Sequence, residues 1–145
     1  MQRQARNIPL PEPHLIALGV GLVADALVAW TISVPSWLRP AGLCLVGGGL
    51  AWAAWATWVS GDTRLADPDR LIRTGPYAVG RNPMYVGWTV AYLGVGLALA
   101  SVWLVLLLPG VLLFTHIAVR REERLLRERF GPAYAAYAAS IRRYV

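Results

Sequence analysis

One segment of the 145-residue chain, residues 74–87, combines residue types that bind ligands. Asn82 is a favoured helix N-cap, and Pro83 is favoured at the first helical position. The free backbone N–H groups of such a helix start, together with the positive end of its dipole, form a site for anions. Arg81 adds a fixed positive charge, so a carboxylate or a phosphate is the expected ligand. A plain loop that leads into a helix, with an interfacial arginine and two tyrosines, explains the pattern equally well.

A second candidate site is the acidic pair Glu122 and Glu123, which lies in the basic tail of the chain. Glu123 stands four residues before Arg127, an arrangement typical of a weak ion pair on a helix surface. Glu122 lies in a four-residue row that is otherwise apolar, formed with Ala118, Leu126 and Phe130. A carboxylate in such a row faces packed protein or a pocket, and burying it unpaired is costly. We therefore expect Glu122 to bind a ligand or a cationic partner, either Arg81 or Arg129.

A few isolated residues in the apolar parts of the chain also attract attention. Asp25 lies near the middle of the first apolar stretch, where an ionisable group indicates function. His116 is either a proton acceptor or a hydrogen-bonded residue at the membrane interface. Cys44 is the single cysteine, so no disulfide framework and no metal site is predicted, and we expect it to be buried. The glycines and small residues of the second stretch, such as Gly47 and Ala51 four residues apart, are expected at close helix contacts.

The composition indicates a membrane protein. The hydrophobic fraction is 57%, the charged fraction is 15%, and the mean hydropathy is +0.47. A soluble domain carries about 25% charged residues. High hydrophobicity also excludes intrinsic disorder. The net charge is +6, and the chain contains no lysine, so arginine is the only basic residue apart from histidine. A basic and apolar chain points to a membrane before it points to nucleic acid.

Four apolar stretches are long enough to cross a bilayer, at about residues 15–34, 41–59, 83–100 and 102–119. They predict an all-α fold, a membrane bundle with four transmembrane helices. Because only a residue or two near Ser101 separates the last two stretches, these are expected to form a tight hairpin. The tail is expected to continue as a helix over 120–130, to stop at Gly131 and Pro132, and to resume as a short helix over 133–143.

The arginines predict how this bundle lies in the membrane. Thirteen of the fourteen fall on one side of the predicted spans, in the two termini and in the loop over residues 60–82. By the positive-inside rule both termini and this loop are cytoplasmic. The first stretch is too long for a secretory signal and is expected to be retained. We therefore expect one integral-membrane domain in a bacterial inner membrane, with two spans over 1–60 and the loop, hairpin and tail over 61–145.

Residues 75–137 resemble the isoprenylcysteine carboxyl methyltransferase and phospholipid methyltransferase group of integral-membrane enzymes. The pattern of that group is a Gly-Pro-Tyr turn, then Arg-His-Pro-x-Tyr-x-Gly, a helical hairpin, and a Glu-Glu pair. A Phe-Gly and two tyrosines three residues apart complete it. In this chain the pattern is carried by Gly75, Pro76, Tyr77, Arg81, Asn82, Pro83, Tyr85, Gly87, Glu122, Glu123, Phe130, Gly131, Tyr134 and Tyr137.

The resemblance implies that S-adenosylmethionine is bound by Gly75, Pro76, Tyr77, Arg81, Asn82, Pro83, Tyr85, Gly87, Glu122 and Glu123. Of these, Glu122, Arg81 and Asn82 are expected to act in catalysis. The start of the third span suits the methionine carboxylate, and a glutamate suits the ammonium or the ribose hydroxyls. Asn82 replaces the histidine of the group, so it keeps hydrogen bonding but cannot accept a proton. Methyl transfer needs positioning and exclusion of water more than acid–base groups.

The leading hypothesis is therefore a methyltransferase that acts at the cytoplasmic face on a lipophilic acceptor. That acceptor is a carboxylate, a lipid head group or a small apolar molecule, and membrane lipids are the expected partners, with no nucleic acid. One alternative is a small four-span exporter in which Asp25 couples transport to protons. Another is a membrane sterol-type reductase, which has a similar C-terminal region but binds NADPH, a large cofactor for so short a chain.

Overall fold

The structure is a computed structural model that describes residues 11–28, 30, 33–61 and 70–145. These residues form four α-helices and one short 3₁₀-helix, and they contain no β-strand. The helices are α1 (Glu12–Leu27), α2 (Leu38–Ser60), α3 (Pro83–Leu99) and α4 (Val102–Ser140), with the 3₁₀-helix at Gly75–Ala78. The predicted all-α fold is confirmed.

The helices differ in whether they are long enough to span a membrane. α2 and α4 are both long and apolar enough to cross a bilayer, whereas α3 is apolar but has only 17 residues. α1 has 16 residues and ends at Leu27, well before the end of the predicted stretch at 34. Asp25 therefore lies in the last turn of α1. The prediction that it lies near the middle of a span is wrong. The count of four spans stays a prediction.

The most extensive helix contact is between α2 and α3, and it depends on glycine. A Cβ atom added at Gly49 would lie 2.6 Å from the oxygen of Gly87 and from the nitrogen of Ala91. Gly42, seven residues earlier, meets Gly94 and Ala98 with the same closeness. The two backbones thus touch along a line of small residues, which allows van der Waals contact between helices in a bilayer.

Small residues of α2 pack closely, as predicted, but the example pair Gly47 and Ala51 is not at this contact. Gly47 has open space around it, and Ala51 is exposed. The prediction was wrong because Gly47 lies two residues from Gly49, which places it on nearly the opposite side of the helix. Cys44 is also exposed on α2, contrary to the prediction of a buried residue.

The connection between α3 and α4 consists of two residues, Ala100 and Ser101. Ala100 has a left-handed conformation with φ of 53°, and the Ser101 hydroxyl accepts a hydrogen bond from the backbone nitrogen of Leu104. The Tyr92 hydroxyl donates to the Leu104 carbonyl at 3.0 Å, which links the two helices one turn further on. Leu104 and Tyr92 also form a small apolar core that α1 covers with Ala17 and Leu18.

The tail follows the predicted pattern as far as Ser140. α4 runs on past its apolar part and is interrupted at Gly131, where φ is 47° and ψ is −121°, immediately before Pro132. The helix after this kink ends at Ser140. The predicted end was residue 143. Residues 141–145, which we call the C-terminal segment, leave the helix because their backbone bonds to the loop before α3.

The glycine contact predicts opposite effects for two neighbouring alanine substitutions. Gly49→Ala places a methyl group against the α3 backbone, and overpacking of this kind costs about 1–3 kcal/mol. Gly47→Ala meets no atom, so it is expected to be neutral or to stabilise by up to about 1 kcal/mol through helix propensity. The measurement is the thermal unfolding midpoint of both variants in detergent. Equal midpoints for the two variants would contradict the contact.

Candidate active site

The Glu123 carboxylate connects the loop before α3 to the tail of the chain, and this residue is only 5% exposed. Its Oε1 accepts from Arg81 at 3.1 Å and from the Asn82 amide at 3.2 Å. Its Oε2 accepts from both Nε and Nη2 of Arg143, each at 3.0 Å. The weak surface pairing with Arg127 is therefore the wrong interpretation of Glu123. The sequence spacing concealed this because Arg143 arrives through the fold of the tail.

Arg81 and Asn82 are occupied by the end of α4 and by the C-terminal segment. The Arg81 backbone N–H donates to the Arg142 carbonyl at 3.0 Å, and its Nη1 donates to the Ala138 carbonyl at 3.0 Å. The Asn82 amide donates to the Arg143 carbonyl at 3.0 Å, so Asn82 precedes α3 as predicted but does not cap it with its side chain. Contact of these residues and of Pro83 with a cofactor stays a prediction.

Glu122 has different neighbours from Glu123. Its carboxyl hydrogen-bonds to the side chain of Tyr85, whose hydroxyl is the donor. No cation of the described residues pairs with it, so the expected pairing with Arg81 is wrong, because Arg81 pairs with Glu123. Burial raises the pKa of the Glu122 carboxyl, and the Tyr85 hydrogen bond and the charge of Glu123 act on it less strongly. Glu122 is thus a desolvated carboxyl between polar aromatic residues.

Tyr77 is the second tyrosine near Glu122. Burial raises the pKa of Tyr77 to about 12, and the charge of Glu122 adds to this effect. A hydrogen bond to Ser60, the last residue of α2, acts in the opposite direction. Tyr77 is therefore a neutral hydroxyl at physiological pH. The Gly-Pro-Tyr turn, the start of α3 and the tail helix meet around Glu122.

A cavity of about 390 Å³ lies between the Gly-Pro-Tyr turn and the helix after the kink. Its lining includes Arg73 and Tyr137, and the Arg73 guanidinium lies 5.8 Å from the centre of the Tyr137 ring. The Tyr137 hydroxyl donates to the Tyr77 carbonyl at 2.6 Å. Gly75 has φ of 59° and allows the turn to pass close to Val59. The volume is within the usual range of about 300–1,000 Å³ for small-molecule sites.

α1 contributes polar residues that the sequence motifs did not indicate. The Thr89 hydroxyl donates to the Tyr85 carbonyl at 2.8 Å, so His14 Nε2 must be the donor in its 2.9 Å contact with that hydroxyl. Glu12 is close enough to Tyr85 to act on its hydroxyl electrostatically. The sequence feature that could have indicated these residues is a glutamate and a histidine directly before an apolar stretch. The start of α1 therefore lies beside the first turns of α3.

The sequence profile of the phospholipid methyltransferase family matches residues 37–133. The chain belongs to this family. The match extends from the residue before α2 to just beyond the kink in α4, so it includes the loop, α3 and both glutamates. No curated protein and no solved structure matches the chain significantly. Membership supports membrane methyltransferase activity and confirms the resemblance found in the motifs.

Among the remaining residues predicted from the sequence, Gly87 and His116 have structural contacts in this phospholipid methyltransferase family member. Gly87 lies against the backbone of Ala53 at the contact between α2 and α3. His116 Nδ1 is 2.9 Å from the Tyr144 hydroxyl, which agrees with the hydrogen-bonded alternative and ties the C-terminal segment to α4. One carboxylate oxygen of Asp25 is buried without a hydrogen-bond partner in the described part of the chain.

The Glu123 ion pairs predict a strong effect of neutralising this carboxylate. In Glu123→Gln the side chain of Arg81, only 10% exposed, loses its counter-charge. Breaking a buried pair in this way costs about 3 kcal/mol. We expect a lower thermal midpoint and faster trypsin cleavage at Arg142 or Arg143, because the C-terminal segment loses its anchor. Glu128→Gln, which changes an exposed residue of the same helix, is the control. Resistance of Glu123→Gln to both changes would contradict this role.

The shifted pKa of Glu122 predicts a pH dependence of stability. Because the pKa of this carboxyl is higher in the folded protein than its ordinary value of 4.5, folding favours the protonated form. Its contribution to stability is complete below pH 4.5 and is lost as the pH rises through the folded value. Glu122→Gln lacks this loss.

We therefore expect the thermal midpoint of Glu122→Gln, relative to that of the parent protein, to increase from pH 4.5 to pH 8. The measurement is a series of ligand-free melts in uncharged detergent, with Glu128→Gln as the control. A constant difference across this range would show that Glu122 is not desolvated.

Proposed function

We propose that this protein transfers the methyl group of S-adenosylmethionine to a lipophilic acceptor at the cytoplasmic face of the membrane. The observation that carries the proposal is the carboxyl of Glu122. It is desolvated, it pairs with no cation of the described residues, and it hydrogen-bonds to Tyr85 in a motif of the family. A buried charge without a partner is costly, so a cationic ligand would relieve this cost.

The residues around Glu122 fit S-adenosylmethionine, the cofactor that enzymes of this family generally use. When bound, the cofactor supplies a methyl group on a positively charged sulfur, and its amino group carries a second positive charge. Glu122 would hold one of these charges. Tyr77 and the Gly-Pro-Tyr turn would bind the rest of the molecule, together with Tyr137 at the adjacent cavity.

The side chains prepare this site in two ways. Tyr85 donates its hydroxyl hydrogen to Glu122 and so orients the carboxylate before any ligand arrives. Burial removes water from the carboxyl, and an ionic attraction is stronger in such a low-dielectric environment. Both effects position a cation and exclude water, which an in-line displacement at carbon requires.

The state of Asn82 bears on the acceptor. Its amide donates to Glu123 and to the Arg143 carbonyl, so it holds the tail in place and has no capacity to take up a proton. An acceptor that needs no base, such as a carboxylate, therefore suits the site better than an amine or a thiol.

The location of Glu122 suits reactants from two phases. The apolar part of α4 is followed by Arg120, and Glu122 lies two residues further on, which would place it at the boundary between hydrocarbon and water. A charged cofactor would enter from the aqueous side and a lipophilic acceptor from the bilayer. The excess of arginine on this side supports a cytoplasmic location of the site and of both termini.

Cofactor binding tests the proposal. We expect the purified protein to bind S-adenosylmethionine and S-adenosylhomocysteine in calorimetric titrations. Glu122→Gln removes a charge-assisted interaction of about 1.5–3 kcal/mol, which corresponds to at least about a tenfold loss of affinity. A larger loss for S-adenosylmethionine than for S-adenosylhomocysteine would assign Glu122 to the sulfonium. An equal loss would assign it to a group that both ligands share, the ammonium or the ribose hydroxyls.

The control is Glu128→Gln, which makes the same charge change on an exposed residue. Unchanged affinity of Glu122→Gln for both ligands would refute the assignment. Labelled methyl transfer into lipid extracts, followed by mass spectrometry, identifies the acceptor class. Thermal stabilisation by NADPH without stabilisation by S-adenosylhomocysteine would instead support a reductase, and proton-coupled uptake abolished by Asp25→Asn would support an exporter.

A further inference from the structure

Three arginines lie on one face of α4 directly after its apolar part. Arg120, Arg124 and Arg127 are separated by four and three residues, so their side chains project from the same side of the helix. All three are exposed. Within the part of the chain that the structure describes, none of them forms an ion pair or a hydrogen bond. Glu128 follows Arg124 by four residues, but no ion pair joins the two.

The C-terminal segment closes this face into a cavity. The cavity has a volume of about 170 Å³ and is lined by Arg120, Arg124, Arg127, Arg143 and Glu123. Arg143 reaches it because the segment folds back and binds Glu123 with two nitrogen atoms. Because the lining combines four arginines with one glutamate, it carries an excess of positive charge.

The single carboxylate of the lining does not balance this charge. Both oxygens of Glu123 are already engaged, one by Arg81 and Asn82 and the other by Arg143. The lining of the cavity therefore keeps positive charge that Glu123 does not neutralise.

We propose that this cavity is a binding site for a phosphate group. Guanidinium groups bind phosphate oxygens through paired, charge-assisted hydrogen bonds, and arginine is better suited to this than lysine. The cavity is several times the ~30 Å³ that a water molecule occupies and is smaller than the range of about 300–1,000 Å³ typical of drug-sized ligands. A single phosphate group suits this size.

The location of the cavity favours the phosphate of a lipid head group. Arg120 follows Val119, the last residue of the apolar part of α4, so the site lies where lipid phosphates are found. A free phosphate ion has the same chemistry and is the other source. The site is distinct from that of Glu122, which projects from nearly the opposite side of α4 to Arg124. The proposal therefore does not depend on methyl transfer.

Titration of the full-length protein in uncharged detergent tests this site with two probes. One is dioleoylphosphatidylglycerol in mixed micelles, and the other is inorganic phosphate at constant ionic strength. We expect Arg124→Gln and Arg127→Gln each to raise the apparent Kd by about tenfold, the effect of losing one charge-assisted hydrogen bond. Both residues are exposed, so the variants are expected to fold. Arg121→Gln is the matched control, because it removes the same charge from an exposed residue outside the cavity.

The outcomes separate the two sources of the phosphate group. Binding of the lipid that phosphate does not displace would assign the site to a head group, and displacement by phosphate would assign it to the free ion. Two results would overturn the proposal. One is the absence of binding by either probe, and the other is an equal loss in Arg121→Gln, which would reduce the effect to general charge attraction. Intact binding of S-adenosylhomocysteine in Arg124→Gln would show that the two sites are separate.

Discussion

The carboxylate of Glu123 is the interaction on which the arrangement of the site depends. It binds Arg81 and Asn82 from the loop before α3 and Arg143 from the C-terminal segment, so one side chain of α4 holds two other parts of the chain. A buried carboxylate requires such partners, and a buried arginine requires a carboxylate in return. The start of α3 is thereby fixed against α4, and this places Tyr85 next to Glu122.

Two adjacent glutamates consequently have different tasks. Glu123 is neutralised by two arginines, whereas Glu122 accepts a hydrogen bond from Tyr85, which adds no charge. If both carboxylates were paired with arginine, neither would attract a cation. Satisfying Arg81 with Glu123 keeps this guanidinium away from Glu122. The structural ion pair and the proposed cofactor site are in this sense parts of one arrangement.

Local signals predicted the elements better than their contacts. Asn82 and Pro83 marked the start of α3, Gly131 and Pro132 marked the kink in α4, and the family motifs indicated the family. The partners of Glu123 were not predictable, because Arg143 lies twenty residues away and approaches only when the chain folds back. The residues of α2 that contact α3 were misidentified for a related reason. Gly47 and Gly49 are both glycines of the same apolar stretch, so the sequence does not distinguish them. Only the orientation of the helix decides which of them is buried.

The segments outside the family match complete the site from both sides. The profile ends at residue 133 and begins at 37, yet the C-terminal segment holds the loop and α1 bonds to α3. α1 bonds to α3 through two consecutive hydrogen bonds. His14 donates to the Thr89 hydroxyl, and that hydroxyl donates to the Tyr85 carbonyl. Because Thr89 donates its only hydroxyl hydrogen to the Tyr85 carbonyl, His14 must carry a hydrogen on Nε2 and donate it to Thr89. The matched region thus supplies Arg81, Glu122 and Glu123, and the two flanking segments, one of which contains Arg143, fix their positions.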